Sequence, residues 1–174
     1  FLIRDPEEVA PIRFGGTGSN SVSLFHPREL PERFEAGTHN YPGLAALSAG
    51  VEYIRKTGLK KIEEKGERQI RAMIGDLKQE SGITIYNETP NLPILSLNVT
   101  GLDNEDLGFI LNRGYHIITR SGLHCAPLVH KETDGGSGSV RLSLSWFTTD
   151  EECRAAVSAI REVARDVDHK NDQT

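Results

Sequence analysis

Apolar residues recur along this chain in distinct rhythms, and each rhythm predicts an element. Leu44, Leu47, Val51 and Ile54 are spaced by three or four, which puts them on one side of a helix. A second helix is predicted from Leu59 to about Glu80, with Leu59, Ile62, Ile70, Met73, Ile74 and Leu77 on one face and Gly66 as a weak point. Residues 83–86 and 94–99 alternate as strands do, around a polar, proline-marked connection. Leu107, Ile110 and Leu111 make a third helix, capped by Asp103 and ended by Gly114. Residues 115–119 read as another strand. In the next, Val140, Leu142, Leu144 and Trp146 alternate with Arg141, Ser143 and Ser145, so Arg141 points away from the apolar face. The last helix starts at one of two capping boxes, Thr148 with Glu151 or Thr149 with Glu152. It carries Cys153, Ala156, Val157, Ile160, Val163, Ala164 and Val167 on one stripe, and fraying is expected from Asp168.

From residue 58 the order is therefore α-β-β-α-β-β-α, a compact α+β arrangement with helices covering a sheet. The first forty or so residues differ. They hold Pro6, Pro11, Pro27 and Pro31 and a turn-rich run around Gly15, Gly16 and Gly18, without a clear period. The chain divides on this reading into residues 1–57, residues 58–167 and a tail of residues 168–174.

Composition narrows the classes. Apolar residues are 37% and charged residues 26%, the profile of an ordinary globular protein. A net charge of −5 argues against nucleic acid as the main partner. No apolar run reaches the about 18 residues that a membrane span requires. Two cysteines make no disulfide framework, which favours a reducing, cytoplasmic setting. Six scattered histidines and two distant cysteines have no zinc-ligand spacing, so no metal is expected.

Two stretches carry candidate chemistry. In residues 120–127, Cys125 follows His124 and lies five residues after Arg120, between Gly122 and Pro127. A thiol beside a histidine and near a guanidinium can have its thiolate favoured; the alternative is a buried, inert cysteine. In residues 34–42, Gly37 and Thr38 stand just before a helix start, where unpaired amides favour an anion; a plain cap is the alternative. The glycines at 15, 16 and 18 could cradle a phosphate, although no P-loop lysine follows.

The ordered set Gly-Gly-Thr-Gly-Ser (15–19), Phe-Glu-Ala-Gly-Thr (34–38), Arg-Ser-Gly-Leu-His-Cys-Ala-Pro (120–127) and Val-Arg-Leu-Ser (140–143) resembles the C-terminal part of cysteine desulfurases. These belong to the class V aminotransferase branch of fold-type I pyridoxal-phosphate enzymes, close to the cysteine desulfurase and selenocysteine lyase group. The resemblance implies the small C-terminal domain of such an enzyme, with an antiparallel-rich sheet, preceded by the irregular end of the large domain. It implies that Cys125 takes the sulfur of L-cysteine as a persulfide and releases alanine. Arg141 would bind the substrate carboxylate, with Arg120 and His124 at the same site. Thr38, next to Gly37, would reach the cofactor phosphate across a homodimer interface, and a sulfur-acceptor protein would be a further partner.

The chain also departs from the pattern. The lysine that forms the Schiff base follows a histidine and precedes the matched region in such enzymes. Both His-Lys pairs here, His130-Lys131 and His169-Lys170, lie after the cysteine. The resemblance therefore implies that this stretch is active only within a complete enzyme and inactive alone. Two other readings remain: a class V relative with different activity, and a cofactor-free sulfur-carrier or interaction domain.

Overall fold

A computed structural model describes residues 4–16, 18 and 22–171. The chain divides into two compact units, Phe1–Lys56 and Thr57–Thr174. In the first, two short 3-10 turns, Pro6–Glu8 and Glu32–Phe34, precede helix α1 (Tyr41–Thr57). Asn40 provides the cap: its Oδ1 accepts the Gly43 N–H at 3.0 Å. The helix buries none of its residues. Thr17 and Ser19, within the candidate cradle, lie outside the described residues.

The second unit contains helices α2 (Leu59–Leu77), α3 (Asn104–Tyr115), α4 (Pro127–Thr133) and α5 (Asp150–Asn171), and strands β1 (Ile83–Ile85), β2 (Ile94–Val99) and β3 (Val140–Ser143). The sheet is antiparallel in the order β1-β2-β3. Strand β2 alternates as its pattern predicts, with Leu95, Leu97 and Val99 buried. Helices α2 and α3 pack on the sheet, and α5 packs on both helices. The core joins Ile70, Met73 and Leu77 of α2 to Leu107 and Leu111 of α3 and Ile160 of α5. Burial of this surface, rather than local propensity, is what keeps such helices formed.

Several local readings hold in detail. Asp103 Oδ1 accepts the Glu105 N–H at 2.7 Å, capping α3. Of the two capping boxes the second is used: Thr149 Oγ1 accepts the Glu152 N–H at 3.1 Å, and Glu152 Oε2 accepts the Thr149 N–H at 2.7 Å. Gly66 is explained by packing, since a Cβ there would lie 3.0 Å from the Cβ of Pro93.

Four expectations are corrected. Residues 115–119 form no strand, because α3 runs past Gly114 to Tyr115 and ends at His116, whose φ of 58° is left-handed. The Ile117 N–H then turns back to the Leu111 carbonyl at 3.0 Å, which uses the segment to close the helix. Arg120 alone meets the sheet, in an isolated antiparallel bridge with Arg141 on β3. Strand β3 stops at Ser143: the Leu144 N–H still donates to the facing Pro93 carbonyl at 2.9 Å, but Pro93 has no N–H to return a ladder bond. Pro127 does not lie within a loop but opens α4, where its fixed φ suits a first helical turn. Finally, α5 continues to Asn171 rather than fraying from Asp168, whose carboxylate accepts the Ser81 hydroxyl at 3.3 Å.

Candidate functional site

The candidate thiol lies where three loops of the second unit converge. Arg120 and Arg141 face each other in the bridge, with N–H to carbonyl distances of 3.1 and 2.7 Å. This pairing puts two guanidinium side chains on adjacent backbones. From Arg120, Nη2 donates to the Sγ of Cys125 at 3.5 Å. Cys125 is exposed, and with Arg120, Ser121, Leu123, Ser137 and Asp103 it lines an open depression. The Nε of Arg141 is buried and has no hydrogen-bond partner among the described residues. A buried guanidinium N–H without an acceptor costs free energy unless an anion reaches it.

Local backbone geometry aims the thiol. His124 and Cys125 both have positive φ, 53° and 61°. Such conformations cost of order 1–3 kcal/mol each for residues other than glycine and persist only where their surroundings enforce them. The enforcing contacts come from distant residues. Asn104 is buried at the start of α3; its Oδ1 accepts the Gly122 N–H at 2.9 Å and its Nδ2 donates to the Ser137 carbonyl at 3.0 Å. The Ser139 N–H donates to the Gly122 carbonyl at 3.2 Å. Gly138, with φ of 84°, approaches so closely that a Cβ on it would lie 2.8 Å from the Gly122 carbonyl carbon.

His124 is tied into the same framework. Its Nε2 lies 3.3 Å from the Oγ of fully buried Ser139, whose hydroxyl lies 2.6 Å from that of Ser96. Burial lowers the pKa of His124, and the neighbouring Arg141, His130 and Arg120 lower it further. The ring is thus held neutral at physiological pH. Behind it, at 5.2 Å between ring centroids, sits buried His130, whose Nδ1 contacts the carboxylate of Asp134. Burial would raise the pKa of Asp134, but bonds from His130 and from the Gly138 and Gly136 amides outweigh it and hold the carboxyl below the usual range.

Sequence reasoning named Arg120, His124, Cys125 and Arg141, and the structure brings these four together. It missed Asn104, Ser139, His130 and Asp134, which support them. An Asx residue at a helix start and a histidine four residues before an aspartate were available as signals, but each has many ordinary uses. Gly37 and Thr38 lie in the first unit. Gly37 has a φ of 93° and donates its N–H to the Gly16 carbonyl at 2.7 Å; Thr38 is exposed two residues before the Asn40 cap.

A profile of the aminotransferase class-V family matches residues 2–155. The chain belongs to that family. A probable cysteine desulfurase of Methanothermobacter thermautotrophicus is 30% identical over 162 residues, which are 90% of this chain and 40% of that protein. Among solved structures, an apo cysteine desulfurase from Thermococcus onnurineus superposes with a TM-score of 0.76 at 33% identity, covering 89% of this chain and 39% of that one. A cysteine desulfurase from Escherichia coli, in an S-sulfonic acid form, gives a TM-score of 0.76 at 25% identity, with 91% and 39% covered. This class-V chain therefore spans about two-fifths of the length of the relatives it matches. No helix among the described residues is long and apolar enough to cross a membrane.

Class-V enzymes generally use pyridoxal phosphate, whose aldehyde needs an amine to anchor it. The depression at Cys125 is lined by no lysine. Lys65 donates to the Trp146 and Thr148 carbonyls at 2.7 and 2.8 Å. The described residues thus fit the thiol and carboxylate side of such a site and not the anchor of the cofactor.

Proposed function

We propose that this chain is the sulfur-accepting part of a pyridoxal-phosphate-dependent cysteine desulfurase, with Cys125 as nucleophile. The observation that carries the proposal is the Arg120 Nη2 contact to the exposed Cys125 Sγ at 3.5 Å, on the bridge that also bears Arg141. Arg141 takes the carboxylate of L-cysteine, for which a planar guanidinium fork is suited. The thiolate of Cys125 attacks the substrate sulfur, so that an S–S bond forms as the C–S bond breaks. The electron pair of that bond leaves with the carbon, which is protonated to give alanine, and Cys125 keeps the persulfide. Pyridoxal phosphate, when bound, supplies the electron sink for this cleavage.

Arg120 steadies negative charge on the sulfur before and after transfer. His124, kept neutral by its surroundings, adds an imidazole to the substrate side without a third cation. Gly37 and Thr38 offer an amide-rich segment to the cofactor phosphate, supplied to the partner subunit of a homodimer. The exposed Cys125 leaves the persulfide open to a thiol-bearing acceptor protein in a reducing, cytoplasmic compartment.

Persulfide assay of the holoenzyme tests the proposal. Cys125→Ser should abolish cysteine-dependent persulfide while leaving the cofactor absorption intact. Arg141→Ala should weaken cysteine binding roughly tenfold to a hundredfold, and Arg141→Lys should recover little. A wild-type holoenzyme that forms no persulfide from cysteine would point to the other class-V activities, a Cys125→Ser enzyme that still carries persulfide would overturn Cys125 as the nucleophile, and persulfide formed without cofactor would point to a sulfur carrier.

A further inference from the structure

His26, in the first unit, makes two ring contacts with partners of one kind. Its Nδ1 lies 3.1 Å from the Gly15 carbonyl oxygen and its Nε2 lies 3.0 Å from the Arg33 carbonyl oxygen. A carbonyl oxygen only accepts, so the two contacts are both hydrogen bonds only when each ring nitrogen carries a proton. Neutral imidazole has one N–H and imidazolium has two. The protonated ring therefore satisfies both carbonyls, and the neutral ring turns a lone pair toward one of them.

The two carbonyls belong to segments that flank the glycine turns. Gly15 precedes Gly16, whose own carbonyl accepts the Gly37 N–H at 2.7 Å. Arg33 lies in the 3-10 turn Glu32–Phe34, four residues before Gly37. We propose that His26, as imidazolium, is a proton-linked clasp that positions the Gly37–Thr38 segment by tying Gly15 to Arg33. That this segment serves a cofactor phosphate rests on the function proposed above; the clasp itself does not depend on it.

Aromatic and charged groups stand around the ring. Phe14 meets it edge-on, with centroids 5.5 Å apart. Glu7, Arg28 and Arg33 are the charged groups lining the depression beside it. Arg33 pairs with Glu7 at 2.9 Å and donates Nη2 to the Val9 carbonyl at 3.2 Å, so its charge is largely compensated. With the second N–H gone, one of the two bonds is lost and the segment loosens as pH rises.

Nuclear magnetic resonance on the 174-residue chain from pH 5 to 8 tests this. The amide exchange rate of Gly37, corrected for its intrinsic pH dependence, should rise about tenfold in step with loss of the His26 ring proton. In His26→Gln the corrected rate should be the same at both ends of the range, with the amides of the second unit unchanged. A flat wild-type profile, or a rise that does not follow the His26 ring nitrogens, would overturn the clasp. Should His26→Gln disorder the first unit, the wild-type profile decides alone. Persulfide formation at Cys125 is independent of this readout, so the clasp and the enzymatic reading can fail separately.

Discussion

On α5, Cys153, Val157, Ile160 and Ala164 are each no more than 6% exposed, whereas on α1 Leu44, Leu47, Val51 and Ile54 are 44–64% exposed. Both helices carry apolar residues at the same period. The period specifies a helix and chooses its face, but burial requires an opposing surface, which α2 and α3 present to α5. In the first unit, described by itself, order comes from polar contacts instead: the Asn40 cap, the Arg33–Glu7 pair and the two bonds of His26. One unit is held by packing and the other by hydrogen bonds and charge.

The sharpest test of that contrast is a pair of truncations. Ile160→Ala on α5 should cost about 2–5 kcal/mol, because it opens a cavity in a closed core. Leu47→Ala on α1 should stay within about 0.5 kcal/mol. Urea unfolding of both variants checks this, and an equal cost for Leu47→Ala would break the distinction.

The two thiols repeat the contrast on a smaller scale. Burial pushes the pKa of Cys153 up, and the nearby Asp150 and Glu152 carboxylates push it further. Iodoacetamide should therefore modify exposed Cys125 well before Cys153 under native conditions. Cys153→Ser should destabilise by about 1–3 kcal/mol if its hydroxyl finds no partner. Cys125→Ser should leave the unfolding midpoint nearly unchanged. Peptide mapping that finds Cys153 labelled first would reverse the assignment of the two roles.

The smallest effect is expected in acid. The native pKa of Asp134 is depressed, so its contribution to stability is complete above the ordinary aspartate range. That contribution is lost as pH falls through the native value. The stability gap between wild type and Asp134→Asn should accordingly be widest near neutrality and narrow below about pH 4. A gap that stays constant down to pH 2.5 would mean that the carboxylate charge is not what matters there.

Legibility in the sequence followed the range of each interaction. The Thr149–Glu152 box, the Asp103 cap and the apolar stripes of α2 and α5 involve residues two to four apart, and all were readable. So was the link between Arg120 and Cys125, five residues apart. The failed strand at 115–119 was decided by a left-handed His116 and by a return bond to Leu111, neither of which the alternation of Tyr115, Ile117 and Thr119 encodes. Helix α4 has seven residues, too few to show a period. Asn104 and Ser139 enter the site through partners 15 to 43 residues away, beyond any local pattern. The bridge between Arg120 and Arg141 is of the same kind: each arginine was identifiable, and their adjacency was not.

The bare contact between Gly122 and Gly138 also bears on how such a chain can diverge. A side chain at position 138 would collide with the backbone that carries Cys125 into place, and no change at position 122 can make room for it, because the obstruction is main chain. Position 138 is therefore closed to any larger residue unless main chain shifts, whereas position 122 has open space around it and favours glycine only through its φ of 93°.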